Sequence, residues 1–134
     1  MDTVANMLTM IRNAQAVEKP LVAVPYSSMK YAVAKILERK GLVAGVEKKS
    51  RKIKKTGKMH PCLEISLKYT NKIPAISGYK KISKPGLRVY VAAGDIKRVK
   101  QGHGIGIITT SKGLMTEYEA KKQNIGGEML CEIW

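Results

Sequence analysis

Three hydroxyls, an amine and a glycine follow one another in Thr109, Thr110, Ser111, Lys112 and Gly113, at the end of a strand-like run, Ile105 to Thr109. Hydroxyls both donate and accept hydrogen bonds, so this cluster can address base edges or ribose 2′-hydroxyls of RNA. Arg88 and Tyr90 alternate with Leu87, Val89 and Val91, which places ring and guanidinium on one strand face. That pairing suits an unpaired base and a nearby phosphate. A third feature is the stretch from Lys48 to Lys58, with Lys48, Lys49, Arg51, Lys52, Lys54, Lys55 and Lys58 as candidate phosphate contacts. Such contacts give affinity without sequence information.

Other patterns fall short of a chemistry. Gly102-His103-Gly104-Ile105-Gly106 carries Ile107 where a dinucleotide fingerprint needs its third glycine, and Ser111-Lys112-Gly113 reverses the order of a phosphate-binding loop. Those glycines serve tight backbone geometry instead. His60, Cys62 and Cys131 lack the paired spacing of a zinc site. No base, orienter or oxyanion loop assembles around Ser111 and Lys112, and His103 has no acid–base partner. The expectation is a non-enzymatic protein with no cofactor and no metal.

Composition narrows the partner. Lysine and arginine number 25 against 10 aspartates and glutamates, a net charge of +15 on 134 residues. That excess asks for a polyanion, nucleic acid ahead of an anionic membrane surface. A membrane-surface binder needs an unburied apolar helix face, and both long helices spend theirs on a core. Apolar runs such as Leu21 to Val24 are far shorter than the ~18 residues of a membrane span, and the Met-Asp opening lacks a secretory pattern. Cys62 and Cys131 read as reduced thiols of a cytosol-like compartment. The bases crowd into residues 41–100, whereas the last 34 residues, which hold the hydroxyl cluster, are nearly neutral.

The elements that must position these residues follow from spacing. Val4, Met7, Leu8 and Ile11 predict a first helix capped by Asp2 or Thr3. Leu21 to Val24 is a strand stopped by Pro25. Ser27 or Ser28 caps a second helix with Met29, Val33, Ile36 and Leu37 inward, ending at Arg39, Lys40 and Gly41. Strands are expected over Leu42–Glu47 and residues 62–69, with the basic run as a hairpin loop between them. Residues 71–75 read as a linker between an N-terminal α-β-α-β-β domain, 1–70, and a mostly β domain, 76–134. In the latter, Ile76–Ile82 and Leu87–Val91 are strands around a Pro85-Gly86 turn, and Asp95–Lys100 is a short helical turn. Thr116 and Glu119 have capping-box spacing ahead of a short helix, and Gly126-Gly127 leads into a last strand, Glu128–Trp134. The fold class is α+β.

Several of these segments, in order along the chain, resemble the bacterial-type small-subunit ribosomal protein eight family. They are Met7-Leu8-Thr9 with Ile11-Arg12-Asn13-Ala14, then Ile82 to Tyr90, then Gly104 to Thr116 and finally Gly126 to Cys131. The resemblance implies a structural protein of the small subunit, with ribosomal RNA of the central domain and neighbouring small-subunit proteins as partners. It also implies a bacterial cytoplasmic or an organellar ribosome. In some members the same surface binds a messenger mimic of the RNA site and represses translation, which is the alternative role. By position, Thr109, Thr110, Ser111, Lys112 and Gly113 would enter the RNA groove, with Tyr90 against a base or ribose. Ser83, Lys84 and Arg88 would support backbone contacts nearby. In the N-terminal domain Arg12, Asn13, Ser27, Ser28 and Lys30 would hold phosphates of a second RNA segment. The chain departs from the family pattern at Thr109 (usually Ser), Met10 (usually Arg) and Lys121 (often Arg).

Overall fold

α1 (Thr3–Ala16) buries Val4, Met7, Leu8, Ile11 and Ala14, the stripe its spacing predicts. It belongs to a computed structural model that describes residues 3–52, 54–97 and 104–134 and divides into two compact units, Thr3–Ala75 and Ile76–Trp134. The architecture is mixed α+β, with the strands concentrated in the C-terminal unit. Among the described residues no helix is long and apolar enough to cross a membrane.

In the first unit β1 (Leu21–Pro25) leads to α2 (Ser28–Arg39). Ser27 is the N-cap, its backbone extended and its Oγ accepting the Lys30 N–H at 3.1 Å. At the other end the Gly41 N–H donates to the Glu38 carbonyl and the Leu42 N–H to that of Leu37, the two bonds of a Schellman stop. The expected inward row needs one correction. Lys30, Val33, Ala34, Ile36 and Leu37 are buried, whereas Met29 is 43% exposed. The buried stripe runs 30, 33, 34, 37, so Met29 falls on its edge.

β2 (Gly45–Lys52) and β3 (Met59–Ser66) then pair antiparallel from Gly45↔Ser66 to Lys52↔Met59. β1 pairs the other side of β3, giving the order β1-β3-β2. The expected strand at Leu42–Glu47 starts later and runs farther, because Leu42 is still held by the helix stop and the ladder opens only where Gly45 meets Ser66. The basic run is therefore half strand: Lys48 to Lys52 lie in β2, and Lys54, Lys55 and Lys58 fall in the connection to β3. Val22, Val24, Val46, Leu63 and Ile65 share one face by register. β4 (Tyr69–Thr70) and β5 (Ile73–Pro74) form a small hairpin with Asn71 and Lys72 at its corner, both left-handed, so the segment read as a linker is partly folded.

The second unit is built on β10 (Gly127–Ile133). β8 (Ile105–Thr110) pairs one edge, while β6 (Tyr79–Lys81) and β7 (Tyr90–Val91) follow each other along the opposite edge. β9 (Gly113–Thr116) adds to β8. Ile96, Ile108, Met115, Ala120 and Met129 form a core with Ile82 and Val91 against it. Burying each of the isoleucines and methionines contributes about 1.5–3 kcal/mol. Thr116 caps α3 (Glu117–Lys122), its Oγ1 accepting the Glu119 N–H at 3.2 Å. The two expected strands before β8 are shorter than their alternation suggests. Leu87 is 65% exposed because the Pro85-Gly86 corner pairs it only with Lys84. The helical turn is a 3-10 turn at Ala93–Asp95, one residue pair earlier than expected. It ends at Ile96, whose backbone is extended, and residues 98–100 of the expected turn, with Gly102 and His103, lie outside the described residues.

Candidate nucleic-acid interface

The β8–β9 connection is a two-residue turn, Ser111-Lys112, between paired Thr110 and Gly113. Gly113 has φ +105, where an L side chain is strained, although a Cβ there would meet open space. Backbone conformation, not room, asks for glycine. Thr110 Oγ1 accepts the Lys112 N–H at 3.1 Å and donates to the Gly113 carbonyl at 2.9 Å. Its single proton is spent on the turn, which revises the expectation that it reads RNA as freely as its neighbours. Ser111 and Lys112 are exposed at the tip, and Thr109 is half-buried behind them.

Register assembles the rest of the surface. Glu128 on β10 stands opposite Tyr90 on β7 and opposite Thr109 on β8, so the three side chains form one row across the sheet. Gly127, the next residue of β10, admits no Cβ, which would run into the Thr109 carbonyl. Tyr90 is 71% exposed. Arg88 reaches into the row through Nη1, 3.4 Å from Glu128 Oε2. Ring, guanidinium and hydroxyl turn are thus brought together by strands far apart in sequence.

Ser83 lies beneath this surface. It is fully buried, and its Oγ accepts the Val89 N–H at 2.9 Å and donates to the Val89 carbonyl at 3.4 Å. It therefore holds the segment that presents Tyr90, with its hydroxyl turned to the Val89 backbone. Lys84 and Arg88 are exposed on either side of the Pro85-Gly86 corner.

In the N-terminal unit Arg12 and Asn13 lie on the solvent side of α1, and Ser28 is exposed at the start of α2. Ser27 is occupied as the cap, and Lys30 is only 8% exposed, since its position completes the apolar stripe. The basic run divides as well. Lys49 Nζ lies 3.1 Å from Glu64 and 3.4 Å from Glu47, and the bond to Glu64, then that to Glu47, raises its pKa above the ordinary lysine value. Lys48 Nζ stands 4.2 Å over the Tyr26 ring. Arg51, Lys52, Lys54, Lys55 and Lys58 are exposed, with no carboxylate among the described residues at ion-pair distance. These five are the cations best placed for phosphate.

Sequence patterning missed Glu128 and Glu117. Glu117 is buried and accepts the Gly106 N–H at 2.7 Å, fixing the start of β8. Glu128 acts across strands and Glu117 from a helix onto a strand, and no local spacing signals either.

The model of the family described as Ribosomal protein S8 matches residues 2–134. A small ribosomal subunit protein uS8 of Rippkaea orientalis is 45% identical over 99% of this chain and 97% of its own length. Proteins of the same name from Alcanivorax borkumensis and Pseudomonas entomophila are each 44% identical, over 98% and 99% of this chain and 96% and 97% of theirs. Identity at that level along the whole length, in a fold whose two units carry a hydroxyl turn and a basic hairpin, leaves one assignment. The chain belongs to the ribosomal protein S8 family, non-enzymatic structural proteins of the small ribosomal subunit.

Proposed function

We propose that the protein binds the central domain of small-subunit ribosomal RNA and helps to assemble it, in a cytoplasmic ribosome of bacterial type. The observation that supports this most directly is the row Tyr90, Glu128, Thr109 beside the Ser111-Lys112 turn, which sets a stacking ring, a guanidinium and hydroxyls on one sheet surface. Ser111, Lys112 and Gly113 would enter a groove of the RNA helix, where hydroxyls meet base edges and 2′-hydroxyls. Tyr90 would stack on an unpaired base, and Arg88 and Lys84 would hold adjacent phosphates. Arg12, Asn13 and Ser28 would contact a second RNA segment, with Arg51, Lys52, Lys54, Lys55 and Lys58 supplying salt-sensitive affinity. Neighbouring small-subunit proteins would share the finished particle. A messenger that mimics the ribosomal site would engage the same surface.

Filter binding at about 0.2 M salt tests the proposal, comparing central-domain RNA with an equally long scrambled RNA. A preference of the order of 10³ is the expected result. A ratio near one would reduce the interaction to charge alone and overturn the reading.

A further inference from the structure

The N-terminal unit carries two tyrosines to which no role is assigned above, set beside Lys35 and Lys48. Tyr26, just beyond β1, and Tyr31, in the first turn of α2, have ring centroids 6.1 Å apart at 45°. Lys48 Nζ stands 4.2 Å from the Tyr26 centroid, and Lys35 Nζ 5.8 Å from that of Tyr31. Both rings are half-buried, so each is held in place and still presents part of itself to water.

The cluster continues onto the arm of the β2–β3 hairpin. β1 stops pairing at Pro25↔Cys62, whereas β2 and β3 run on together through Ser50↔Pro61, Arg51↔His60 and Lys52↔Met59. Past that point the arm is two-stranded and exposed on both faces. Alternation puts Lys48, Ser50 and Lys52 on one face, about 13 Å from first lysine to last. Two rings therefore lead into a line of cations, with Lys54, Lys55 and Lys58 beyond at the tip.

The neighbouring carboxylates are already engaged, Glu38 beside the rings and Glu64 on the opposite face of the hairpin. Glu38 Oε1 holds Lys35 at 3.0 Å while its Oε2 accepts the Val46 N–H at 2.9 Å, and Glu64 holds Lys49. Lys48 has no carboxylate among the described residues at ion-pair distance, only the Tyr26 ring. A cation over a ring still open to water is held more weakly than a stacked base, so an arriving base would displace Lys48 from the ring toward the phosphate it brings. An acidic peptide would satisfy the lysines and leave the rings without a purpose. An unpaired stretch of RNA satisfies both.

We propose that Tyr26 and Tyr31, with Lys48 and Lys52, form a second site that stacks unpaired RNA bases and passes their backbone along the arm. This rests on the RNA-binding reading above and adds the kind of RNA that the N-terminal unit takes.

The test uses the full chain with two probes, hexa-adenylate RNA and a hexamer of the same sugar-phosphate chain without bases. Hexa-adenylate should shift the ring-proton resonances of Tyr26 and Tyr31 upfield. Tyr26→Leu, which keeps apolar bulk, should weaken hexa-adenylate binding about tenfold and leave the abasic hexamer unchanged. Tyr26→Phe should restore it, and a thermal melt confirms that each variant is folded. Unmoved ring resonances, equal losses on both probes, or a Tyr26→Leu variant indistinguishable from the parent would overturn the site. So would displacement of hexa-adenylate by polyglutamate as readily as by the abasic hexamer. Ser111→Ala should leave the hexa-adenylate response intact, so loss of the central-domain preference with that response preserved removes only the first site.

Discussion

Arg88 and Glu128 meet at 3.4 Å across strands forty residues apart in sequence, on the surface that Tyr90 and Thr109 share. A carboxylate amid groups proposed to meet a polyanion needs a reason. A surface ion pair of this kind contributes only about 0–1 kcal/mol to stability, so its weight lies in aiming a flexible guanidinium. Glu128→Gln should release Arg88 and add one net positive charge. The salt dependence of RNA binding should then steepen by roughly one unit of slope, while the preference for central-domain over scrambled RNA falls several-fold. Titrations of both RNAs at a series of salt concentrations check this.

Ser111 and Thr110 are neighbours with opposite tasks. Ser111→Ala should cost about 1–3 kcal/mol of affinity for the central-domain RNA and nothing for scrambled RNA, with the melting temperature unchanged. Thr110→Val removes two hydrogen bonds from the turn and should cost about 1–2 kcal/mol of stability. Pairing equilibrium unfolding with filter binding separates the two.

The lysines of the arm should be unequal in the same way. Neutralising Lys54 and Lys55 together should flatten the salt dependence by roughly one to two units of slope. Lys49→Gln should alter it much less, since Glu64 and Glu47 already hold that charge. Equal slopes for the two variants would contradict the division.

Glu38 links acid stability to the placement of β2. The hydrogen bond from Lys35, then that from the Val46 N–H, holds its carboxyl below the ordinary value of 4.5. A depressed carboxyl stabilises the fold fully above the ordinary range, and that contribution is lost as pH falls through the folded value. Melting followed by circular dichroism should therefore show an acid limb below about pH 4 that is shallower in Glu38→Gln. The variant should also melt lower at neutral pH.

What the sequence made legible was local. Ser27, Gly41 and the Thr116–Glu119 pair announce helix ends because a cap is settled within four residues. The stripe of α1 was equally plain. The start of β2 was hidden, since only Ser66 decides where the ladder opens. Where the backbone engages a hydroxyl was not legible: Ser83 on Val89 and Thr110 on its own turn look from sequence like Ser111, which is exposed. Placement of Tyr26 under Lys48 depends on two strands and a helix meeting, and nothing in the spacing reports it.

β2 is an edge strand, and four of its eight residues are Lys or Arg. An uncovered edge is an invitation for another chain to add a strand, and lysines there repel a like-charged copy. On β3, beyond the end of β1, Pro61 withholds a backbone donor from the same kind of pairing. The residues that would grip RNA thus have an earlier duty, keeping freshly made copies from zipping together before any RNA reaches them.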